Sequence, residues 1–500
     1  MKRSLAVVFI LALLVTSAFG YSLRMETMGR ISYALEDFET DVMRNPACIS
    51  NLDQNYFRLS LGMEGAATEI ETKYDEVAVG NWIGKGWDNW GYSSMPINIL
   101  GFYKFGTIAI GLQFDMPSES WTYERGTDEA QIGGTDIEID KWNDEFSQSI
   151  TNFALTLGSK FGNFAVGLNF GQTKHIGTYT DEYQEDGEGV WDHDWDKNES
   201  DLTADNTFYG FGLVYPTGKL KLEFAYKMSS VLVEIEETKD DDYDSATDTT
   251  TTGDVADHDI YPIEETTLDS SLIHLMAKYK YTEEIDATAV VGIIVHNAEP
   301  VSKYSTFPDF TNTEVAINQT NIGFAVGFHK EKYKFGIEMD YNMFDLEVSE
   351  YRVDTWIPWA TYKRTDITAS AKMIIWKAGA EYQAMDKLTL RAGVIKYAPL
   401  SATMEVTNYN ALGEITNTQE TTYDLLNTGN FMVASFGFEY KLSNQMSLEY
   451  GYIGGKALLN LDALTLVTDL GGYAYSFDEG ITAFTPMSFT THKFSIKYNF

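Results

Sequence analysis

The chain has 500 residues, 74 of them acidic against 36 basic, for a net charge of −38. So anionic a surface repels nucleic acid and phosphate headgroups, which excludes a nucleic-acid partner. Hydrophobic residues make up 44% and aromatics 14%, too many for a disordered chain, and abundant Tyr, Phe and Gly with only 10 Pro suit strands and tight turns.

The first twenty residues read as a secretory signal peptide. Lys2 and Arg3 form a positive start, Ser4 to Val15 is apolar, and Ala18 and Gly20 place small residues before a cleavage point at Tyr21. The apolar run is too short for a membrane anchor, and no later stretch approaches the roughly 18 apolar residues a membrane helix needs. Residues 21–54 are not strand-like, and they suggest a plug ahead of the first strand. Cys48, the one cysteine, permits no internal disulfide and no cysteine metal cluster, and it reads as a small semi-buried filler.

From residue 55 onward the dominant signal has a period of two. Tyr333, Phe335, Ile337, Met339, Tyr341 and Met343 alternate with Lys334, Gly336, Glu338, Asp340 and Asn342, one greasy face and one wet face of a strand. Sixteen such segments are expected, near 55–67, 96–105, 106–116, 150–160, 163–174, 207–215, 219–236, 270–281, 285–296, 319–330, 333–348, 371–383, 387–398, 430–441, 445–457 and 488–500. Their connections alternate between short turns, such as 160–163, 216–219, 384–387 and 442–445, and long loops at 117–149, 175–206, 237–269 and 399–429. Short turns at one rim and long loops at the other describe an all-β, transmembrane, antiparallel up-and-down β-barrel of outer-membrane type, with 14–16 strands and sixteen by this count. The expected division is therefore a signal peptide at 1–20, an N-terminal hatch at 21–54 and the barrel at 55–500.

The long loops concentrate the acid. Residues 175–206 carry eleven carboxylates and 237–269 twelve, including Asp240, Asp241 and Asp242. Divalent-cation binding that bridges to lipopolysaccharide is one reading. A solvated surface is the other, favoured because no calcium-loop spacing occurs. Asp192-His193-Asp194 resembles a metal cluster by residue type only. Seven scattered histidines and the absence of a Gly-x-Ser-x-Gly elbow give no catalytic site, no metal site and no cofactor, so an enzyme is not expected. At the C-terminus Phe494, Ile496, Tyr498 and Phe500 alternate with polar residues. A terminal aromatic on such a strand looks like the signal read by the barrel-assembly machinery.

Met28-Gly29-Arg30 followed by Arg44-Asn45-Pro46-Ala47-Cys48-Ile49 resembles the N-terminal hatch of the long-chain fatty-acid transporter (FadL-like) family. Leu388 to Gly393 with Pro399, and Phe431 to Tyr452 with Gly437, Tyr440 and Gly451, resemble strands in that family's last third. The resemblance implies passive, hatch-gated uptake of hydrophobic small molecules, fatty acids or neutral hydrocarbons, across the bacterial outer membrane, with sideways exit through a gap in the wall. Its partners would be the hydrophobic ligand, outer-membrane lipid and lipopolysaccharide. Gly29, Arg30, Arg44, Asn45, Pro46 and Ala47 would shape the hatch. Matched strand by strand, Lys174 and Lys303 fall where the family's basic ligand contacts lie, and Arg391 is a third candidate. The family barrel has fourteen strands, and the surplus here looks like the hairpin 319–348. A wider lumen and acidic loops suit a neutral ligand as well as a carboxylate. A cation-favouring porin and a surface adhesin are the alternatives, distinguished by open-pore conductance and by loop deletion.

Overall fold

The computed structural model describes residues 22–76, 82–131, 137–187, 195–244, 249–253, 264–302, 312–354, 361–410, 414–424, 431–459 and 485–500. The signal-peptide segment, Lys303 and Asp192-His193-Asp194 lie outside the described residues.

The strands form one closed, antiparallel, 16-strand barrel. In chain order they are β1 (Tyr56–Glu76), β2 (Trp82–Ser94 and Ile97–Phe105), β3 (Ile108–Asp115 and Ser118–Gln131), β4 (Ile137–Phe161), β5 (Phe164–Gly187), β6 (Trp195–Thr217), β7 (Leu220–Asp244) and β8 (Thr249–Gly253 and Glu264–Lys280). They continue as β9 (Ile285–Ser302), β10 (Asn312–Lys330), β11 (Tyr333–Asp354), β12 (Thr361–Met385), β13 (Leu388–Tyr409), β14 (Ile415–Asp424 and Phe431–Lys441), β15 (Met446–Leu459) and β16 (Thr485–Asn499). Each pairs with its chain neighbours, and β16 returns to β1 from Tyr56 opposite Asn499 to Ala67 opposite Ser488. Closure leaves no sheet edge whose N–H and C=O groups would face lipid unpaired.

Alternation decides which side chain meets which solvent. Along β11, Phe335 and Ile337 are exposed outward while Glu338 and Asp340 are buried inside. Along β5, Leu168 and Phe170 point out, and Ala165 and Gly167 point in. The outward residues form an apolar belt. At the short-turn rim it ends in rings that include Phe105, Phe161, Tyr281, Tyr333, Tyr498 and Phe500, all exposed. Aromatics at the apolar–polar boundary are the mark of a transmembrane barrel. The two-residue turns at that rim use glycine where φ is positive, at Gly106, Gly162 and Gly218. Phe500 closes the rim, its N–H donating to the Asn55 carbonyl at 3.1 Å and its ring 6.3 Å from those of Tyr103 and Tyr498.

The stretches read from sequence as long loops are largely strand. β5 runs to Gly187 and β6 begins at Trp195, so most of 175–206 is paired ladder, and the same holds for much of 117–149, 237–269 and 399–429. Both faces there are polar, so hydrophobic periodicity is blank, yet the backbone ladder continues through pairs such as Glu182 opposite Lys197. Strands β4 and β7 reach 25 residues, about 80 Å at about 3.3 Å per residue. About ten tilted residues cross a bilayer, so the sheet stands well clear of lipid on that side.

This orientation is testable at Leu168. An arginine there should cost about 2–4 kcal/mol if the site faces mid-membrane, read by denaturant titration of the barrel refolded into vesicles. A loss below about 0.5 kcal/mol, the ordinary surface value, would remove β5 from the apolar belt.

Candidate functional site

The segment 22–52 lies inside the barrel, packed against its wall. Its first helix, α1 (Leu23–Thr27), is capped by Ser22, whose hydroxyl accepts from Met25 N–H at 3.1 Å. The second, α2 (Phe38–Arg44), is capped by Asp37, which accepts from Thr40 N–H at 3.0 Å. A 3-10 turn, Pro46–Asn51, follows directly. Met25, Met28, Ile31, Ala34 and Leu35 form one apolar cluster, and Val42, Ala47, Cys48, Ile49 and Leu52 form another with Leu100 and Phe102 of the wall. The hatch is thus two small docked halves joined near Glu36.

Each half is seated on a row of glycines. Gly158, Gly167 and Gly212 lie directly opposite one another across β4, β5 and β6. Gly327, Gly336, Gly379 and Gly393 do the same across β10 to β13. A Cβ at Gly167 would overlap Pro46 and Ala47, one at Gly212 the Asn45 side chain, and one at Gly393 the Gly29 backbone. Glycine inside a strand weakens it, and here the reason is close approach of another backbone. Gly29 and Arg30 both have positive φ, 69° and 56°. An arginine there is strained by about 1–2 kcal/mol. The turn is held by Arg30 N–H donating to Met25 O at 2.8 Å and by Gly29 N–H donating to Ser435 Oγ at 3.1 Å.

The motif Arg44-Asn45-Pro46-Ala47 divides its work. Arg44 pairs with Asp41 at 2.7 Å and Glu223 at 3.7 Å, and donates to the Ser32 carbonyl at 2.7 Å, tying the two halves together. The Asn45 side chain accepts from Ala47 N–H at 3.1 Å and donates to the carbonyls of Leu213 and Phe224, linking β6 and β7. Pro46 opens the 3-10 turn, where its missing N–H is no loss. Cys48 is buried beside Glu223, and burial pushes its thiol well up, so it is an inert filler.

Ion pairs fix the hatch in rotation. Arg24 meets Glu381 at 2.7 Å, Glu26 meets Lys493 at 2.9 Å, Glu39 meets Arg58, and Glu36 meets Lys221 at 3.1 Å and Lys278 at 3.6 Å. The Glu338 carboxylate accepts from the N–H groups of Tyr33 and Ala34. Burial alone would raise the Glu36 carboxyl, but the Lys221 and Lys278 ammonium groups outweigh it and hold it at about 2 against an ordinary 4.5. Sequence reasoning did not find these wall partners, because they are scattered from Arg58 to Lys493 and only barrel closure brings them together.

The three basic ligand candidates fare differently. Arg391 lies on the inner wall, buried among Glu381, Glu439 and Glu449 at 3.1, 2.6 and 3.1 Å. Three carboxylates leave it no vacancy for a ligand anion, and through Glu381 it braces Arg24 of the hatch. Lys174 shares the outward parity of Leu168, Phe170 and Ile176 and is exposed, so it stands off the lumen at the end of the apolar run. A depression of about 440 Å³ near Tyr209, Tyr226 and Met228 likewise carries the outward parity of these exposed residues and is not part of the lumen.

No family model matches the chain, and no curated protein matches it. Similar solved structures include the toluene transporter TbuX of Ralstonia pickettii, at 10% identity and a TM-score of 0.42 over 97% of this chain and 99% of that one. A FadL homologue of Pseudomonas aeruginosa has 13% identity and a TM-score of 0.43 over 96% and 98%. The toluene transporter TodX of Pseudomonas putida has 11% identity and a TM-score of 0.39 over 96% and 98%. At these values the likeness carries no weight of its own, and the barrel and its hatch rest on this chain's own pairing and contacts.

Two outcomes test the seating. Gly393→Leu should leave the barrel folded but keep the first half of the hatch from docking, raising single-channel conductance in planar bilayers; an unchanged closed state would show that the glycine row is not the seat. The Glu36 carboxyl is depressed in the folded state, so its contribution is complete above pH 4.5 and is lost as pH falls through about 2. Glu36→Gln should therefore speed protease cleavage of the hatch at pH 7, and hydrogen exchange near pH 2 should no longer separate the two proteins.

Proposed function

We propose that this protein is an outer-membrane channel for passive, hatch-gated uptake of hydrophobic small molecules, and that the cargo crossing it is uncharged. The observation that supports this reading is a membrane barrel with an N-terminal segment docked inside it on its own wall. A hydrated solute needs only an open pore. An apolar one gains about 0.8 kcal/mol per CH₂ from a path that excludes water, and it needs the aqueous route shut.

Above the hatch the inner wall supports such a path. Ile395, Val433 and Ile453 form a buried cluster with Ile375 and Tyr397, and Leu272, Val290 and Val231 continue the inward parity on β7 to β9. The neutral cargo follows from charge. Among the described residues the buried lysines and arginines of the wall are all engaged: Arg58 by Glu39, Lys278 by Asp286, Lys377 by Asp340, and Arg391 by its three carboxylates. A carboxylate ligand would find no unclaimed partner among them, and an unpaired charge in such surroundings costs several kcal/mol.

Sideways exit has a natural place where β2 and β3 break side by side, at Met95-Pro96 and Met116-Pro117. Neither proline can donate to the ladder, so the wall there is held by irregular bonds such as Gly62 N–H to Pro96 O at 2.9 Å and Ile150 N–H to Pro117 O at 2.9 Å. Leu61, Met63, Met95 and Met116 face outward around the break, all exposed.

Uptake of a radiolabelled alkylbenzene into proteoliposomes tests the function. Saturable entry without ionic conductance is expected; conductance with no uptake would replace the channel by a porin. Restoring donors with Pro96→Val/Pro117→Val should cut uptake at least tenfold while leaving binding within about twofold. Equal loss of both would move the exit elsewhere.

A further inference from the structure

High above the hatch, His175 of β5 and Asn206 of β6 are buried on the inner wall, with 2% and 7% of their surface exposed. The inward parity is set by Gly167, eight residues earlier on the same strand, which meets Pro46 of the hatch. Pairing places Ala204 opposite His175 and Thr173 opposite Asn206. The two side chains are therefore diagonal neighbours on adjacent strands, within reach of one functional group. Their surroundings mix apolar and polar groups: Ile150 lies opposite His175 and Val231 opposite Asn206, both buried, beside buried Gln148 and Thr173.

Hydrogen bonding fixes what this pair presents. Gln148 Nε2 donates to Glu119 Oε2 at 2.7 Å, which orients the amide and turns Gln148 Oε1 toward His175 Nδ1 at 3.3 Å. An amide oxygen only accepts, so Nδ1 carries the proton, and Nε2 of the neutral ring is left as an acceptor. That Nε2 and the Asn206 Oδ1 are closed to solvent and have no hydrogen-bond partner. Among the described residues the Asn206 side chain makes no hydrogen bond through either end of its amide, so a half-turn offers either the oxygen or the NH₂.

Three kinds of hydrophobic molecule meet this pair differently. A hydrocarbon leaves both groups unmet. A carboxylate brings only lone pairs against the lone pair of Nε2, with the Glu119 carboxylate behind. A hydroxyl donates its proton to Nε2 and accepts from the Asn206 NH₂, matching both at once. We propose that His175 and Asn206 form a hydroxyl-recognising subsite at the outer end of the lumen, selecting apolar molecules that carry one alcohol or phenol group. The proposal rests on the lumen being the path of a hydrophobic cargo, and it names the polar handle that cargo bears.

The test is displacement of N-phenyl-1-naphthylamine from the refolded full barrel by 4-octylphenol, octylbenzene and 4-octylbenzoate, which share one tail. The phenol should displace the probe at a concentration at least tenfold below octylbenzene, with the benzoate weakest. In His175→Phe and in Asn206→Leu the ratio of phenol to octylbenzene should collapse toward one. His175→Gln, which keeps an acceptor, should retain most of it, and heat-modifiable gel mobility reports folding of each variant. A wild-type ratio near one, or a preference that survives both apolar substitutions, overturns the subsite and leaves hydrophobic uptake standing. Failure of all three molecules to displace the probe overturns both readings.

Discussion

Backbone meets backbone where the hatch touches the wall, and that contact constrains much of the rest. A strand residue with a side chain holds a neighbouring chain away. The rows at Gly158, Gly167 and Gly212, and at Gly327, Gly336, Gly379 and Gly393, remove that barrier on two arcs of the barrel. Into the first arc fit Asn45, Pro46 and Ala47, and into the second Met28 and Gly29. Glycine is poor in a strand for entropic reasons, but pairing on both sides and closure of the sheet hold the ladder regardless. The left-handed turn at Gly29-Arg30 is tolerated for the same reason, since the surrounding wall determines the path of the chain.

Charge then selects one orientation from those the glycine rows allow. Buried ion pairs add little net stability, because desolvation offsets their attraction. Removing one partner is costly, however, so a hatch turned by a few ångströms would strand Glu381, Glu39 and Arg58 together. The arrangement also engages Arg58, Lys278, Lys377 and Arg391 of the inner wall with acids. A chain with a net charge of −38 pairs these buried positive groups with internal acids, which supports the proposal that the cargo is uncharged rather than the carboxylate implied by the fatty-acid branch of the resemblance.

The membrane-spanning part of the fold was legible because period-two alternation is strong where one face meets lipid. The sixteen segments read from sequence each fall on a strand. Their outward extensions were not legible: residues such as Thr178, Thr180 and Glu182 on β5 and Asn198 and Ser200 on β6 are polar on both faces, so no hydropathy contrast marks them. In the site, Asn45 and Pro46 could be read as turn-forming residues from local chemistry alone. Strand matching left the face of Lys174 open, because a shift of one residue moves a side chain from lumen to lipid, and the structure shows it exposed with outward parity. The glycines were visible as residues, but their alignment across strands is a property of register. His175 and Asn206 carried no signal, since they become a pair only through the pairing of β5 with β6.

The division of the hatch into two seats bears on how it would open. Its halves touch opposite arcs, β3 to β6 for the 3-10 turn and β10 to β15 for the first half. Between them the Glu36 side chain is more than half exposed and is held by lysines from two further strands. A surface pair of this kind contributes about 1 kcal/mol or less, whereas each docked half buries an apolar cluster of five or more residues, several times that by area. The Glu36 pairs are therefore a weak hold of the wall on the chain between the seats, while Arg44 ties one half to the other through the Ser32 carbonyl. On the proposed function, loosening of the Glu36 pairs would free the chain between the two seats, so that an apolar molecule passes without release of the plug. It would also keep the opening local, and for a barrel of sixteen strands that is the difference between passing a ligand and leaking ions.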